Sequence, residues 1–280
     1  MELTQARGKL MAIGGAEDRK GDCRILKEFI RLSGGAKANI VVMTAATNQP
    51  ESEGKERRTL FTKLGAKTVK VVDVSTRADA LNEKNIETVS QATGIFFTGG
   101  NQFHITTLIG GTELQRLINR MYEKGTIVAG TSAGAAMMSN SMILNGEGED
   151  SPRLNSIELG PGMDFIVGSI IDTHFSQRGR YGRLLTAVAH HPQELGIGLD
   201  EDTAIITSGD KEFEVLGSGA VTVMDGSSLT YTNAPYTKPG EILAMADVKL
   251  HVLPEGMKYN FESRSVIAPK SKNGNGHKEA

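Results

Sequence analysis

The sequence predicts an α/β protein with a mostly parallel central sheet flanked by helices and an antiparallel β extension in its C-terminal part. Three observations carry that reading. In the first half, short β-branched runs alternate with stretches whose apolar residues recur at helical spacing, the pattern of strands joined by crossover helices. Those runs are apolar without interruption, as strands covered on both faces are. Beyond about Asn140 the helices thin out, and short strands follow one another across turn residues.

Residues 9–13 read as a first strand, stopped at Gly14-Gly15. Over residues 22–32, Ile25, Leu26, Phe29 and Ile30 recur at helical spacing, and Gly34-Gly35 ends the run. Asn39–Met43 is a buried strand, residues 51–64 a helix closed by Gly65, and residues 68–74 the next strand. Residues 95–98 and 126–129 are two more buried strands, with the helical Glu113–Glu123 between them. Residues 142–144 and 165–171 read as strands joined by a polar connection containing Glu147, Glu149, Asp150 and Ser151. Residues 180–190 are helical in pattern. The runs 197–199, 204–207, 213–216 and 220–224 are strands, separated by turn residues such as Ser208-Gly209-Asp210. No Pro/Ser-rich linker divides the chain, so residues 1–268 are expected to form one α/β domain. Residues 269–280 are expected to be a disordered polar tail, SKNGNGHKEA being its bulk.

Composition removes several classes of function. The 31 Lys+Arg against 33 Asp+Glu give a formal net charge of −2 and no general field for nucleic acid or an anionic membrane. The single cysteine, Cys23, excludes an internal disulfide framework and a cysteine-built zinc site. The N-terminal MELTQARGKLMAIGG has no apolar run long enough for a signal peptide, and no segment reaches membrane-spanning length. The expectation is a cytoplasmic protein with no membrane or nucleic-acid partner.

The strongest chemical signal is Gly130-Thr131-Ser132-Ala133-Gly134. It follows a buried strand and precedes a small-residue helix start, the context of a nucleophile elbow. There the flanking glycines avoid clashes and the central hydroxyl projects at the positive end of a helix. A glycine-rich turn with an incidental serine is the bland alternative. A serine nucleophile needs a base and a group that orients it. Of the six histidines, His174 ends a strand-like run, and chemistry gathers at the carboxyl ends of parallel strands. A His closing a strand in a loop remains an equal reading on this evidence. For the acidic partner Glu201, after the strand 197–199, is preferred to Asp172. Residues two apart on a strand share a face and run side by side, so Asp172 does not meet the His174 ring well. Gly99 and Gly100, with the N–H of Ala133, form a candidate oxyanion hole, and Asn101 and Gln102, which follow them, are candidate substrate-binding residues. Arg178, Arg180 and Arg183 form a local cluster for carboxylate or phosphate, and cations at a helix start oppose its dipole unless an anion compensates.

Gly14-Gly15-Ala16-Glu17-Asp18, Thr98-Gly99-Gly100-Asn101-Gln102, the Ser132 elbow and Asp172-Thr173-His174-Phe175-Ser176-Gln177-Arg178-Gly179-Arg180 together resemble the cyanophycinase family. These are serine peptidases related to the aspartyl dipeptidases called peptidase E. The resemblance covers nearly the whole chain except the tail. It implies a class I glutamine amidotransferase-like (flavodoxin-like) fold, a homodimer, and a triad in the order Ser, His, Glu, which maps onto Ser132, His174 and Glu201. It also implies hydrolysis of cyanophycin, a polyaspartate bearing arginine on each side-chain carboxyl, to β-Asp-Arg dipeptides without metal or cofactor. The substrate carries both signs of charge. Arg178, Arg180 and Arg183 are then expected on its carboxylate side, with Asp172 on its guanidinium side. Members of this family often carry Gln immediately before the catalytic His, where this chain has Thr173, a candidate substrate-binding residue. The alternatives are a peptidase E-like dipeptidase and a catalytically silent ligand-binding relative.

Overall fold

The computed structural model describes residues 7–146, 151–208 and 211–267; Glu147, Glu149, Asp150 and the expected tail, residues 269–280, lie outside the described residues. In chain order the first half runs β1 (Leu10–Ile13), α1 (Arg24–Leu32), β2 (Asn39–Met43), α2 (Pro50–Lys63), β3 (Thr68–Val72), α3 (Glu83–Ser90), β4 (Gly94–Phe97), α4 (Gln102–Ile109), α5 (Glu113–Glu123), β5 (Ile127–Thr131) and the single turn α6 (Ala133–Ala136). The second half runs β6 (Ser141–Asn145), β7 (Glu158–Pro161), β8 (Ser169–Thr173), α7 (Tyr181–His190), β9 (Leu195–Leu199), β10 (Thr203–Ser208), β11 (Glu212–Gly217) and β12 (Ala220–Asp225). It ends with β13 (Tyr231–Thr232), β14 (Met245–Ala246), β15 (Lys249–Pro254), β16 (Lys258–Asn260) and β17 (Ser265–Ile267). No helix among the described residues is long and apolar enough to cross a membrane.

The main sheet has nine strands in the order β17-β16-β11-β10-β1-β5-β4-β2-β3. Strands β1, β5, β4, β2 and β3 are parallel, and direction reverses where β10 pairs with β1. Adjacent residues of a strand point to opposite faces, so Phe96 and Phe97 feed two separate cores. Phe96 meets Phe29 and Phe61 beneath α1 and α2, with ring centroids 5.1–5.6 Å apart. Phe97 packs on the other face with Val41, Met43, Ile105 and Ile118. Helix α1 buries Ile25, Leu26, Phe29 and Ile30, the residues its spacing nominates. Helix α3 gives no such signal because Val89 is its one buried residue, and the Asn82 side chain starts it by accepting from the N–H groups of Lys84 and Asn85.

The antiparallel extension expected in the second half is divided between two sheets. Strands β10, β11, β16 and β17 do extend the main sheet in antiparallel fashion. Strands β8, β9, β12 and β15, however, form a separate four-stranded sheet, in which β8 and β9 run parallel. Strands β8 and β9 are buried along their whole length and so look like central strands of any sheet. The expected strand 165–171 also starts late. Gly168 sits at φ 75°, its N–H donating to Asn140 Oδ1, and β8 begins one residue later.

The carboxyl ends of β1, β4 and β5 from one sheet, and of β8 and β9 from the other, meet at one edge of the molecule. The Ser132 N–H donates to the Ile13 carbonyl at 2.9 Å and the His174 N–H to the Gly14 carbonyl at 2.7 Å. The Asp202 N–H reaches the Gly15 carbonyl at 2.9 Å. The first bond continues the β1–β5 pairing, and the His174 bond ties the end of β8 to the end of β1 where the candidate residues lie.

Candidate active site

Strand β5 ends at Thr131, and the chain turns directly into α6 through Ser132, which takes φ 53° and ψ −113°. A non-glycine residue at positive φ is strained and persists only where its surroundings over-determine it. They do so here by close approach. A Cβ at Gly130 would lie 2.0 Å from the Gly134 carbonyl oxygen, and one at Gly134 would lie 2.6 Å from that of Phe97. Beyond the turn, the N–H groups of Ala135 and Ala136 both donate to the Ser132 carbonyl. Ala133 opens α6, where a first-turn N–H has no partner within the helix.

His174 follows the last residue of β8, and Glu201 lies two residues past the end of β9. Because β8 and β9 are parallel neighbours, with Thr173 opposite Leu199, their carboxyl ends bring the two side chains together. His174 Nδ1 lies 2.6 Å from Glu201 Oε1, and Nε2 lies 2.9 Å from Ser132 Oγ. An ionised carboxylate can only accept, which puts the ring proton on Nδ1 and leaves Nε2 to accept the Ser132 hydroxyl proton. Gln177 Oε1 accepts the Glu201 N–H at 2.9 Å and pins the acidic residue from the segment that carries His174.

Gly15, at φ +100°, lies beneath the imidazole. A Cβ there would fall 2.3 Å from His174 Cε1 and 2.4 Å from Nε2. Neither Gly15 nor Gln177 is nominated for a role by the sequence alone. Their signal was present, since both lie inside motifs at strand ends, but nothing local tells which ring or amide they meet.

A cavity of about 310 Å³ opens beside Ser132, lined by Gly100, Gln102, Ala133, Asp172, Thr173, Arg178, Arg180 and Arg183 among others. Gly99 packs directly against the serine: a Cβ on it would stand 3.4 Å from Ser132 Cβ. Gln102 Nε2 donates to the Ile143 carbonyl at 2.6 Å and so ties α4 to β6. Asn101 is not among the lining residues. It caps α4, its side chain accepting the Phe103 N–H at 2.9 Å.

The charged residues do not stand as separate subsites. Arg183 is buried, with Nε donating to Asp172 Oδ2 at 2.8 Å, Nη2 donating to Oδ1, and Nη1 donating to the Gly146 carbonyl. Arg180 donates to Asp172 Oδ1 at 3.2 Å and to the Thr173 carbonyl at 2.5 Å. Asp172, expected to face a substrate guanidinium, is therefore met by two guanidiniums of its own chain. Arg180 is the N-cap of α7, and Arg183 lies in its first turn. Three guanidiniums against one carboxylate leave the cavity positive. Burial, then the like charges of Arg183 and Arg178, pull the Arg180 guanidinium down to about 10 against the attraction of Asp172. Among the described residues, no group of three or more His, Cys, Asp and Glu side chains is placed to hold a metal ion.

A serine on a strained strand-to-helix turn, in line with an imidazole and a carboxylate at the carboxyl ends of strands, is the arrangement of a serine-type hydrolase. The model of Peptidase family S51 matches residues 10–215. The cyanophycinase of Geminocystis herdmanii is 36% identical over 263 residues, covering 94% of this chain and 97% of that protein. The cyanophycinase of Trichormus variabilis is 34% identical over 259 residues, covering 92% and 87%. A solved peptidase from an acI-B1 Actinobacterium shares the fold with a TM-score of 0.66 at 20% identity, covering 92% of this chain and 98% of its own. The chain belongs to peptidase family S51, and it is a peptidase.

Proposed function

We propose that the protein is a serine-type exopeptidase that hydrolyses cyanophycin to β-Asp-Arg dipeptides. The observation that carries this reading is the aligned Ser132–His174–Glu201 set opening onto a cavity with excess positive charge, in a chain similar along nearly its whole length to cyanophycinases. Ser132 Oγ attacks an aspartyl α-carbonyl of the polymer backbone while His174 Nε2 takes its proton. Glu201, holding Nδ1–H, stabilises the imidazolium and keeps the ring turned toward the serine. The Ala133 N–H, with that of Gly99 or Gly100, receives the charge that develops on the carbonyl oxygen. The imidazolium then protonates the departing amine. Water, activated by the same imidazole, hydrolyses the acyl-enzyme and frees Ser132.

Arg178 and Arg180 take the carboxylate groups of the substrate, and Gln102 and Thr173 shape the cavity around them. Asp172 and Arg183 act as a paired scaffold that orients Arg180. A peptidase E-like dipeptidase has less need of such an excess of guanidinium beside its serine. By the same resemblance the enzyme works as a homodimer in the breakdown of a nitrogen store; its balanced charge and apolar pattern support a cytoplasmic protein with no nucleic-acid or membrane partner, and the lack of a linker supports one domain over residues 1–268. The test is to incubate the purified protein with cyanophycin and, separately, with short aspartyl peptides, and to identify the products by mass spectrometry. Release of β-Asp-Arg from the polymer supports the reading; cleavage of the short peptides alone would refute it.

A further inference from the structure

Glu17 is one of the few acidic residues in the described interior, with a side chain wholly shielded from solvent. One carboxylate oxygen, Oε1, lies 2.5 Å from Nη1 of the equally buried Arg57 on α2; the other, Oε2, accepts the Thr131 hydroxyl at 2.6 Å. Burial works against the charged form, but Arg57, the Thr131 hydroxyl and Arg19 outweigh it and hold the carboxyl below its ordinary range. Arg57 in turn donates from Nε to Glu53 and stands 5.0 Å above the Phe96 ring. A buried ion pair is weak evidence for stability, because desolvation consumes much of its attraction. Its presence behind the Ser132 turn calls for another account.

The turn that carries Glu17 supplies one. Residues 13–18 touch Ser132 and His174 and reach the residue next to Glu201. Ile13 and Gly14 accept the N–H groups of Ser132 and His174, and Gly15 lies under the imidazole. Gly15 accepts the Asp202 N–H next to Glu201, and the Asp18 N–H donates to Asp202 Oδ1 at 2.9 Å. The Thr131 hydroxyl is where this turn is fastened back onto β5, one residue before the strained serine.

Building on the nucleophile role proposed above for Ser132, we infer that Glu17 is a positioning residue: its buried carboxylate clamps the 13–18 turn to Thr131 and so holds Ser132 and His174 in register. The role acts on the reacting geometry and leaves substrate affinity alone.

Thr131→Val tests it, because it removes the hydroxyl while leaving Glu17, Arg57 and Glu53 paired. A misplacement of about 1 Å can cost on the order of a hundredfold in rate, so even a partial release should lower kcat by about tenfold or more. KM should stay unchanged, Thr131→Ser should restore kcat, and the rate of Ser132 labelling by a fluorophosphonate should fall in parallel. If the valine variant does not fold, Thr131→Ala removes the same hydroxyl with a smaller side chain. Wild-type kcat and labelling rate in the folded variant, or a change confined to KM, would overturn the clamp and leave Glu17–Arg57 as an anchor for α2. Wild-type protein that does not react with the probe would sink the nucleophile reading itself, and the clamp with it.

Discussion

Gly15→Ala perturbs the proposed base without removing any polar group of the triad. The new Cβ would lie 2.3 Å from His174 Cε1 and 2.4 Å from Nε2. Carbon atoms settle at roughly 3.5–4.0 Å, so the ring or the turn must yield by more than about 1 Å. The ring has little freedom, since Nδ1 is held by Glu201 at 2.6 Å and the backbone N–H by Gly14 at 2.7 Å. The turn has little either: its carbonyls serve Ser132, His174 and Asp202. A residue with a Cβ also pays about 1–2 kcal/mol for a left-handed backbone, and Gly15 stands at φ +100°. A displacement of about 1 Å at the reacting atoms corresponds to a loss on the order of a hundredfold in kcat, or about 2.7 kcal/mol of barrier. Steady-state kinetics with thermal unfolding of the same preparation measure it. The expected result is a folded protein with kcat down about a hundredfold and KM little changed. A variant whose kcat stays within about threefold of wild type would show that His174 does not act from this position.

Four further outcomes follow from the same geometry. Glu201→Gln should depress turnover far more than Asp172→Asn at saturating substrate, because Glu201 is the group that accepts the His174 Nδ1–H; the reverse order would reassign the triad. Arg178→Ala should lower kcat/KM for cyanophycin by roughly tenfold to a hundredfold while sparing a small ester. Arg183→Ala leaves Asp172 without its bidentate partner, so it should instead cost about 3–5 kcal/mol of stability and impair both substrates alike; selective loss on the polymer would mean that Arg183 reads substrate directly. Asp18, whose carboxyl accepts the N–H groups of Cys23, Gly21 and Lys20, sits at about 2, below its ordinary 3.8. A depressed carboxyl contributes stability that is full above the ordinary value and lost as pH falls through the folded one. The Tm gap between wild type and Asp18→Asn should therefore shrink between about pH 5 and pH 2, and a gap independent of pH would contradict the carboxylate's role.

What could be read in advance was local, and what could not was pairing. The Ser132 turn is legible because strand, turn and helix start all lie within ten consecutive residues, Ile127–Ala136, and Gly130 and Gly134 leave a visible mark. The parallel half is legible for a similar reason: each of β1, β2, β4 and β5 is a short apolar run. The assignment of β8 and β9 to a second sheet is not legible, since a strand buried on both faces looks the same in either sheet. The charge cluster misleads in a related way. Arg183 looks like an anion site in sequence, yet a carboxylate eleven positions earlier, Asp172, folds back to meet it. The structural meaning of Gly15 and Glu17 depends on contacts with residues more than one hundred positions away, Thr131 and His174, which no spacing rule reaches.

In the proposed reaction Ser132 attacks the cyanophycin backbone with His174 as its base. The direct measurement compares wild type with Ser132→Ala on purified cyanophycin, scoring β-Asp-Arg release by mass spectrometry and the intact protein mass after fluorophosphonate treatment. Wild type should release the dipeptide and gain one phosphonyl adduct, mapped to Ser132. The alanine variant should be folded and unlabelled, with turnover lower by several orders of magnitude. A folded alanine variant that keeps more than about a tenth of the wild-type rate, or an adduct on another residue, would contradict this role of Ser132.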